Sequence, residues 1–139
     1  MPVHYNGATQ NSRMTATLAQ IDASATEATL EIGTGPAPAF GTLIVALELD
    51  KPSFAVVNAV GTPVTAAAHL NLLGTPISDD VPAGPGGTAA MARIKDGAGV
   101  VIVDGLTVGT TGSDINLNSV SLSGGQTVTI TQGTITHAT

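Results

Sequence analysis

The side chains with most chemical potential here are ten carboxylates, three histidines and one run of alternating oxygen donors, Asp114-Ile115-Asn116-Leu117-Asn118. Asp-x-Asn-x-Asn matches the first three ligand positions of a calcium loop, where oxygens two residues apart converge on the ion. The remainder of that loop is missing. Ser119 stands where the turn glycine is needed, and Gly125 stands where a bidentate glutamate closes the cage. The plainer reading is a strand whose Asp114, Asn116 and Asn118 face solvent while Ile115 and Leu117 face inward.

Other constellations yield in the same way. No two of His4, His69 and His137 share a metal-ligand spacing, and the two near the termini read as solvated tails. Gly33-Thr34-Gly35 follows a strand, as a dinucleotide fingerprint would, but Pro36 and Pro38 replace the helix that would hold the pyrophosphate. Gly84-Pro85-Gly86-Gly87-Thr88 lacks the lysine of a phosphate loop. No Gly-x-Ser-x-Gly elbow is present. Asp79 and Asp80 lie in a Pro/Gly loop, where turn capping or solvation is the simpler role. Paired glycosidase carboxylates need no local motif, so that one class stays open in principle. The expectation is a non-enzyme with no metal and no cofactor.

Composition narrows the class further. A chain of 139 residues reads as one domain, able to bury roughly 70% of its unfolded surface. Tyr5, Phe40 and Phe54 are its only aromatics, so Val, Ile, Leu and Ala must fill the core. Such a thin interior favours burial against a neighbour, and an oligomer is expected. Charged residues are only 10%, against roughly 25% in ordinary soluble domains. The net charge of −6, with Arg13, Lys51, Arg93 and Lys95 as the only cations, argues against nucleic acid. The absence of cysteine excludes disulfides and thiolate chemistry. No apolar run approaches the roughly 20 residues of a membrane helix, so no membrane partner is expected. The first seven residues lack the pattern of a secretory signal, so synthesis in the cytoplasm without a signal peptide is expected.

The elements that position these residues are mostly strands. Residues 1–10 read as a flexible polar arm in which Val3 and Tyr5 offer a neighbour something to hold. Met14, Leu18, Ile21 and Ala25 recur at helical spacing, predicting a short helix over about 11–24, capped by Asn11 or Ser12. Its face, with Met14 and Leu18, could lie on the domain or on a partner. Residues 26–33 alternate, with Ala28, Leu30 and Ile32 inward and Glu27, Thr29 and Glu31 outward. Residues 42–50 alternate with Leu43, Val45, Leu47 and Leu49 inward. Glu48, Asp50 and Lys51 look like strand-end charges. Phe54 to Val57 is a short strand, residues 60–73 are ambiguous but read as strand, and residues 75–87 read as loop. Residues 88–95 and 100–103 flank Asp96-Gly97-Ala98-Gly99 as a hairpin, with a further turn at Asp104-Gly105. Arg93 and Lys95 share one face of their strand, where edge protection or contact with an acidic partner would employ them. Apolar parity slips by one residue between Leu117 and Val120, and again between Ile130 and Ile135, as at a β-bulge or a strand changing sheets. The fold class expected is all-β, an antiparallel jelly-roll-like sandwich over 11–139 with one N-terminal helix.

The C-terminal third carries a resemblance. Ala89-Ala90-Met91-Ala92-Arg93-Ile94-Lys95-Asp96-Gly97-Ala98-Gly99, Val103-Asp104-Gly105, the run from Val108 to Ser119, and Ser123-Gly124-Gly125-Gln126-Thr127-Val128-Thr129-Ile130 resemble small structural proteins of tailed bacteriophages and prophages. The similarity covers roughly residues 88–137, and the helix-then-strand opening over 11–35 fits it. It implies a β-rich virion component, foremost a head decoration (cement) protein on the capsid surface. Its partners would be the major capsid protein and copies of itself, for instance as a trimer. A tail or head–tail protein and a carbohydrate-binding fibre module are the alternatives. The resemblance carries over no catalytic residues.

Overall fold

Eleven strands and one helix form within residues 3–137, the part that this computed structural model describes. Helix α1 spans Gly7–Ile21. The strands follow as β1 Thr29–Gly33, β2 Leu43–Glu48, β3 Phe54–Val57, β4 His69–Leu72, β5 Ile77–Asp80 and β6 Gly87–Thr88. Then come β7 Met91–Lys95, β8 Val101–Gly109, β9 Ile115–Leu117, β10 Ser121–Leu122 and β11 Thr127–Thr136. One curled sheet takes the order β2-β1-β7-β8-β9-β11-β4-β3, with β5 also paired to β11. β6 and β10 make a separate two-stranded ladder.

The sheet is mixed, not purely antiparallel as expected: β8 and β9 run parallel, through Val108↔Ile115 and Gly109↔Asn116. Parallel neighbours ordinarily need a crossover of a dozen or more residues. Here only residues 110–114 intervene, so the chain must turn back on itself, and Asp114 pins that loop. Its Oδ2 accepts from Thr107 N and Oγ1, at 3.0 and 3.1 Å, and its own N–H donates to Thr107 Oγ1.

Alternation correctly places most of the core. Ala28, Leu30, Ile32, Val45, Leu47, Leu49, Phe54, Ile115, Leu117, Val128 and Ile130 are all buried. Leu43 departs from expectation and lies 48% exposed. The reason is a bulge: Ile32 pairs with Val45 and Gly33 with Leu43, so Ile44 is the extra residue and takes the buried place. A second bulge replaces the turn expected at Asp104-Gly105. Ala92 pairs with Leu106 and Ile94 with Val103, which leaves both residues opposite Arg93 alone. Gly105 takes φ +73, where a side chain would be strained. The parity slip after Leu117 is a change of sheets, since β10 joins β6. The slip after Ile130 coincides with a register shift in β11 against β9. β11 then passes from β5 to β4.

Three expected segments are corrected. Residues 60–73 contain strand only from His69, preceded by a bridge between Val60 and Ala66. The expected loop 75–87 contains β5, because Ser78 and Asp80 pair with Thr129 and Thr127 despite their low strand preference. The helix begins four residues earlier than predicted, at Gly7, and ends at Ile21, leaving Ala25 exposed. Asn6, not Asn11 or Ser12, is the N-cap, accepting from Thr9 N at 2.9 Å. The expected arm therefore contains the first helical turn, and Met1 and Pro2 lie outside the described residues.

Helix α1 lies on its own domain, with Met14 and Ile21 buried and Leu18 packed against the core. Polar contacts hold it along its length. Gln10, 2% exposed, accepts from Ala68 N at 3.0 Å and donates to Tyr5 O at 2.9 Å. Asn11 Oδ1 accepts from Ala59 N, while the Asp22 carboxylate accepts from both Ser53 N and Oγ. Ser53 is fully buried, and this last pair satisfies both its N–H and its hydroxyl. Replacing Gln10 by Ala strands the Ala68 N–H in the interior. Urea unfolding of Gln10→Ala is expected to show a loss of about 1–3 kcal/mol; an unchanged midpoint would mean that the helix does not depend on this clamp.

Candidate functional site

Three polar clusters and the surface clefts are the places where this chain could do chemistry or hold a partner. The first centres on Glu31. Its alternation directs it to the outer face, yet it is only 7% exposed. Register explains this: Glu31 pairs with Arg93 across β1 and β7, and Thr29 pairs with Lys95. Arg93 Nε lies 2.7 Å from Glu31 Oε1 and Lys95 Nζ 3.2 Å from Oε2. The Arg93 guanidinium also covers the Phe40 ring at 3.9 Å. β7 sits between β1 and β8, so Arg93 and Lys95 protect no edge. The acid they reach belongs to their own chain.

The Gly33-Thr34-Gly35 turn folds against the same Phe40. Gly35 N donates to Phe40 O at 2.8 Å, and a Cβ on Gly33 would sit 2.5 Å from that oxygen. The glycine thus admits a backbone carbonyl of the same chain, where a dinucleotide turn would admit a phosphate.

The second cluster is the Asp114-to-Asn118 run. Ile115 and Leu117 face inward as expected, but Asn116 is buried too and does not face solvent. Asn116 Oδ1 accepts from Ser113 N at 3.1 Å, and Asn118 Oδ1 accepts from Thr129 N at 2.9 Å. With Asp114 on Thr107, each motif residue has a side-chain oxygen tied to the chain's own donors. Among the described residues no three acids or histidines gather as a metal-binding group.

The third cluster joins the two ends of the chain. Tyr5 meets His137 edge-on at 5.8 Å between ring centroids, and Arg13 lies over the Tyr5 ring at 3.8 Å. His137 is buried, not a solvated tail; its backbone N–H donates to Ala68 O at 2.9 Å, and its Nδ1 has no hydrogen-bond partner among the described residues. His4 is exposed and His69 half-buried on β4. A cleft of about 430 Å³ lies beside this cluster, between residues 4–10 and residues 61–64.

The six expected contact residues therefore do not form one patch. Val3 is 65% exposed, Tyr5 is engaged by Arg13 and His137, Met14 is buried in the chain's own core, and Leu18 is half-buried against it. Arg93 and Lys95 are paired on Glu31. Two clefts flank the approach of β2 to β5, neither of them expected from the sequence: one of about 450 Å³ lined by residues 42–46 and 79–86, and one of about 910 Å³ beside Glu48, Asp50 and Asp79. The sequence reading also missed the helix clamps on Gln10 and Asp22. Acids at both flanks were visible in the sequence, but nothing local says that β2 and β5 approach one another. No family model matches the chain, and no curated protein or solved structure matches it.

Glu31→Ala leaves two cations side by side without a counter-ion. With Arg93 and Lys95 about a quarter exposed (26% and 27%), water offsets part of the loss, and about 1–3 kcal/mol of destabilisation is expected in urea. Lys95→Ala, which removes only the longer contact, should cost less. Equal stability of Glu31→Ala and the parent would show that the pair carries no structural weight.

Proposed function

We propose that this chain is a virion structural protein of a tailed bacteriophage, a head decoration (cement) protein that binds the outer surface of the major capsid protein shell and stabilises it. The observation that carries the reading is how its polar groups are used. All four cations have partners within the chain, the Asp114-to-Asn118 oxygens hold backbone, and the helix is clamped to the sheet. Such a molecule is suited to being a stiff spacer repeated in many copies, with strength drawn from multivalency. The resemblance of residues 88–137 to phage structural proteins supports the same conclusion. In this reading the curled sheet and its small second ladder form a jelly-roll-like sandwich. The chain is made in the host cytoplasm and acts on the capsid surface as a homo-oligomer, for which a trimer fits a capsid's local threefold positions. Catalysis, a cofactor, nucleic acid and a membrane have no part in it.

The same observations weigh on the alternatives. Sugar binding by stacking needs free aromatic faces, and the supply is poor: Phe54 is buried, Phe40 has Arg93 over its ring, and Tyr5 has Arg13 over its ring and His137 edge-on. A tail or head–tail protein is told apart by position and copy number in particle images. Heads stripped of this protein are expected to open at lower temperature, or in chelator, and to recover when purified protein is returned. Equal survival of stripped and intact heads would contradict the proposal.

A further inference from the structure

The acidic side chains are unevenly spread. All of them lie between Asp22 and Asp50 or between Asp79 and Asp114, so residues 3–21 and 51–78 hold none. These two acid-free stretches are remote in sequence and meet in the fold. Helix α1 packs on β3 and β4, Asn11 Oδ1 accepts from Ala59 N, and Gln10 Oε1 accepts from Ala68 N. The side of the molecule built from them contributes no acidic side chain to a chain of net charge −6.

The same side carries the two most exposed large apolar residues among those described. Val3 is 65% and Val60 59% exposed, ahead of Val100, Leu43 and Val101. They flank one cleft of about 430 Å³. Val3 precedes His4 and Tyr5 on one wall, and Val60 precedes Gly61 on the other, with Pro63 and Val64 beyond it. An apolar knob therefore stands beside a hollow. Exposed apolar side chains grouped in this way mark an interaction surface. Charge then selects the occupant. Two copies that met elsewhere would bring acid against acid, whereas on this side they meet none. A basic partner would be drawn to the acidic sides instead. A knob and a hollow on one patch complement themselves about a twofold axis, since each copy gives a Val3 and receives one.

We propose that this side is the contact between two copies of the chain, a twofold pair in which Val3 of each copy enters the cleft of the other against Pro63 and Val64, with Val60 at the rim. It names the self-contact of the homo-oligomer in the capsid reading, with two copies in place of three. The pair is a property of the purified chain. Stripped heads can survive without touching it, and its own failure leaves the capsid experiment standing.

The test is sedimentation velocity of the full chain, which should show a monomer–dimer equilibrium with a dissociation constant of about 100 µM or tighter. Val3→Asp and Val60→Asp each place an acid in the contact and should raise that constant about tenfold or more. Val100→Asp, at a valine 56% exposed in the β7–β8 turn, should leave it unchanged. Added salt should strengthen the dimer, because it screens the repulsion between two acidic copies. The chain has no cysteine, so cross-linking reads the exchange directly. A mixture of Val3→Cys and Val64→Cys chains should oxidise to a mixed dimer in higher yield than either chain alone. If Val60→Asp fails to fold by circular dichroism, Val3→Asp, which lies before the first helix, carries the same test. A chain still monomeric at about 1 mM, a trimer, a dimer indifferent to Val3→Asp, or one that Val100→Asp weakens equally would overturn the proposal. So would a mixture of the two cysteine variants that forms no mixed dimer.

Discussion

The pairing of β1 with both β2 and β7 is the constraint on which the rest of the molecule depends. Leu30 and Ile32 are fully buried at its centre, and they hold the register that brings Glu31 opposite Arg93, 62 residues away in sequence. Closing so long a separation costs chain entropy before any contact rewards it. The Glu31 ion pair therefore gives specificity to an interface that aliphatic burial stabilises. A one-residue slip would turn Leu30 and Ile32 to the outer face and bring Glu31 into the core without its cations.

Around that centre the chain uses its polar residues almost entirely on itself. Few charges and few aromatics leave threonine, asparagine and aspartate to close loops, and they do so by accepting backbone N–H groups. Asp114 on Thr107, Asn118 on Thr129, Asp96 on Ala98 and Val100, and Asp22 on Ser53 are instances of one device. The device makes a stiff body with little surface chemistry. It also leaves an acid-free side, around Val3 and Val60, where apolar side chains stand exposed.

How much of this was legible in the sequence follows from the range of each interaction. Strands β1, β3 and β7 and the β7–β8 hairpin are local patterns of alternation and turn residues; β3 has the expected bounds, while β1 and β7 start three residues later than expected, at Thr29 and Met91. The Leu43 error came from a bulge, and the Asp104-Gly105 error from a glycine that serves a bulge as readily as a turn. β5 was hidden because Ile77-Ser78-Asp79-Asp80 owes its conformation to β11, not to its own preferences. The burial of Met14 and His137, and the engagement of Arg93 and Lys95 by Glu31, depend on elements far apart in the chain. Residue type suggested partner contacts for Met14, Arg93 and Lys95 and a solvated tail for His137, and only tertiary structure shows that all four are engaged within the chain.

Native-state amide hydrogen exchange tests the central claim most directly, namely that sheet and helix form a single stiff body with β2 as its open edge. The amides of Leu30, Ile32 and the middle of α1 are expected to exchange together, at the rate of global unfolding, while those of Ala46 and Glu48, which point away from β1, exchange orders of magnitude faster. Free exchange throughout α1 over a protected sheet, or strong protection of Ala46 and Glu48 in the isolated protein, would contradict it.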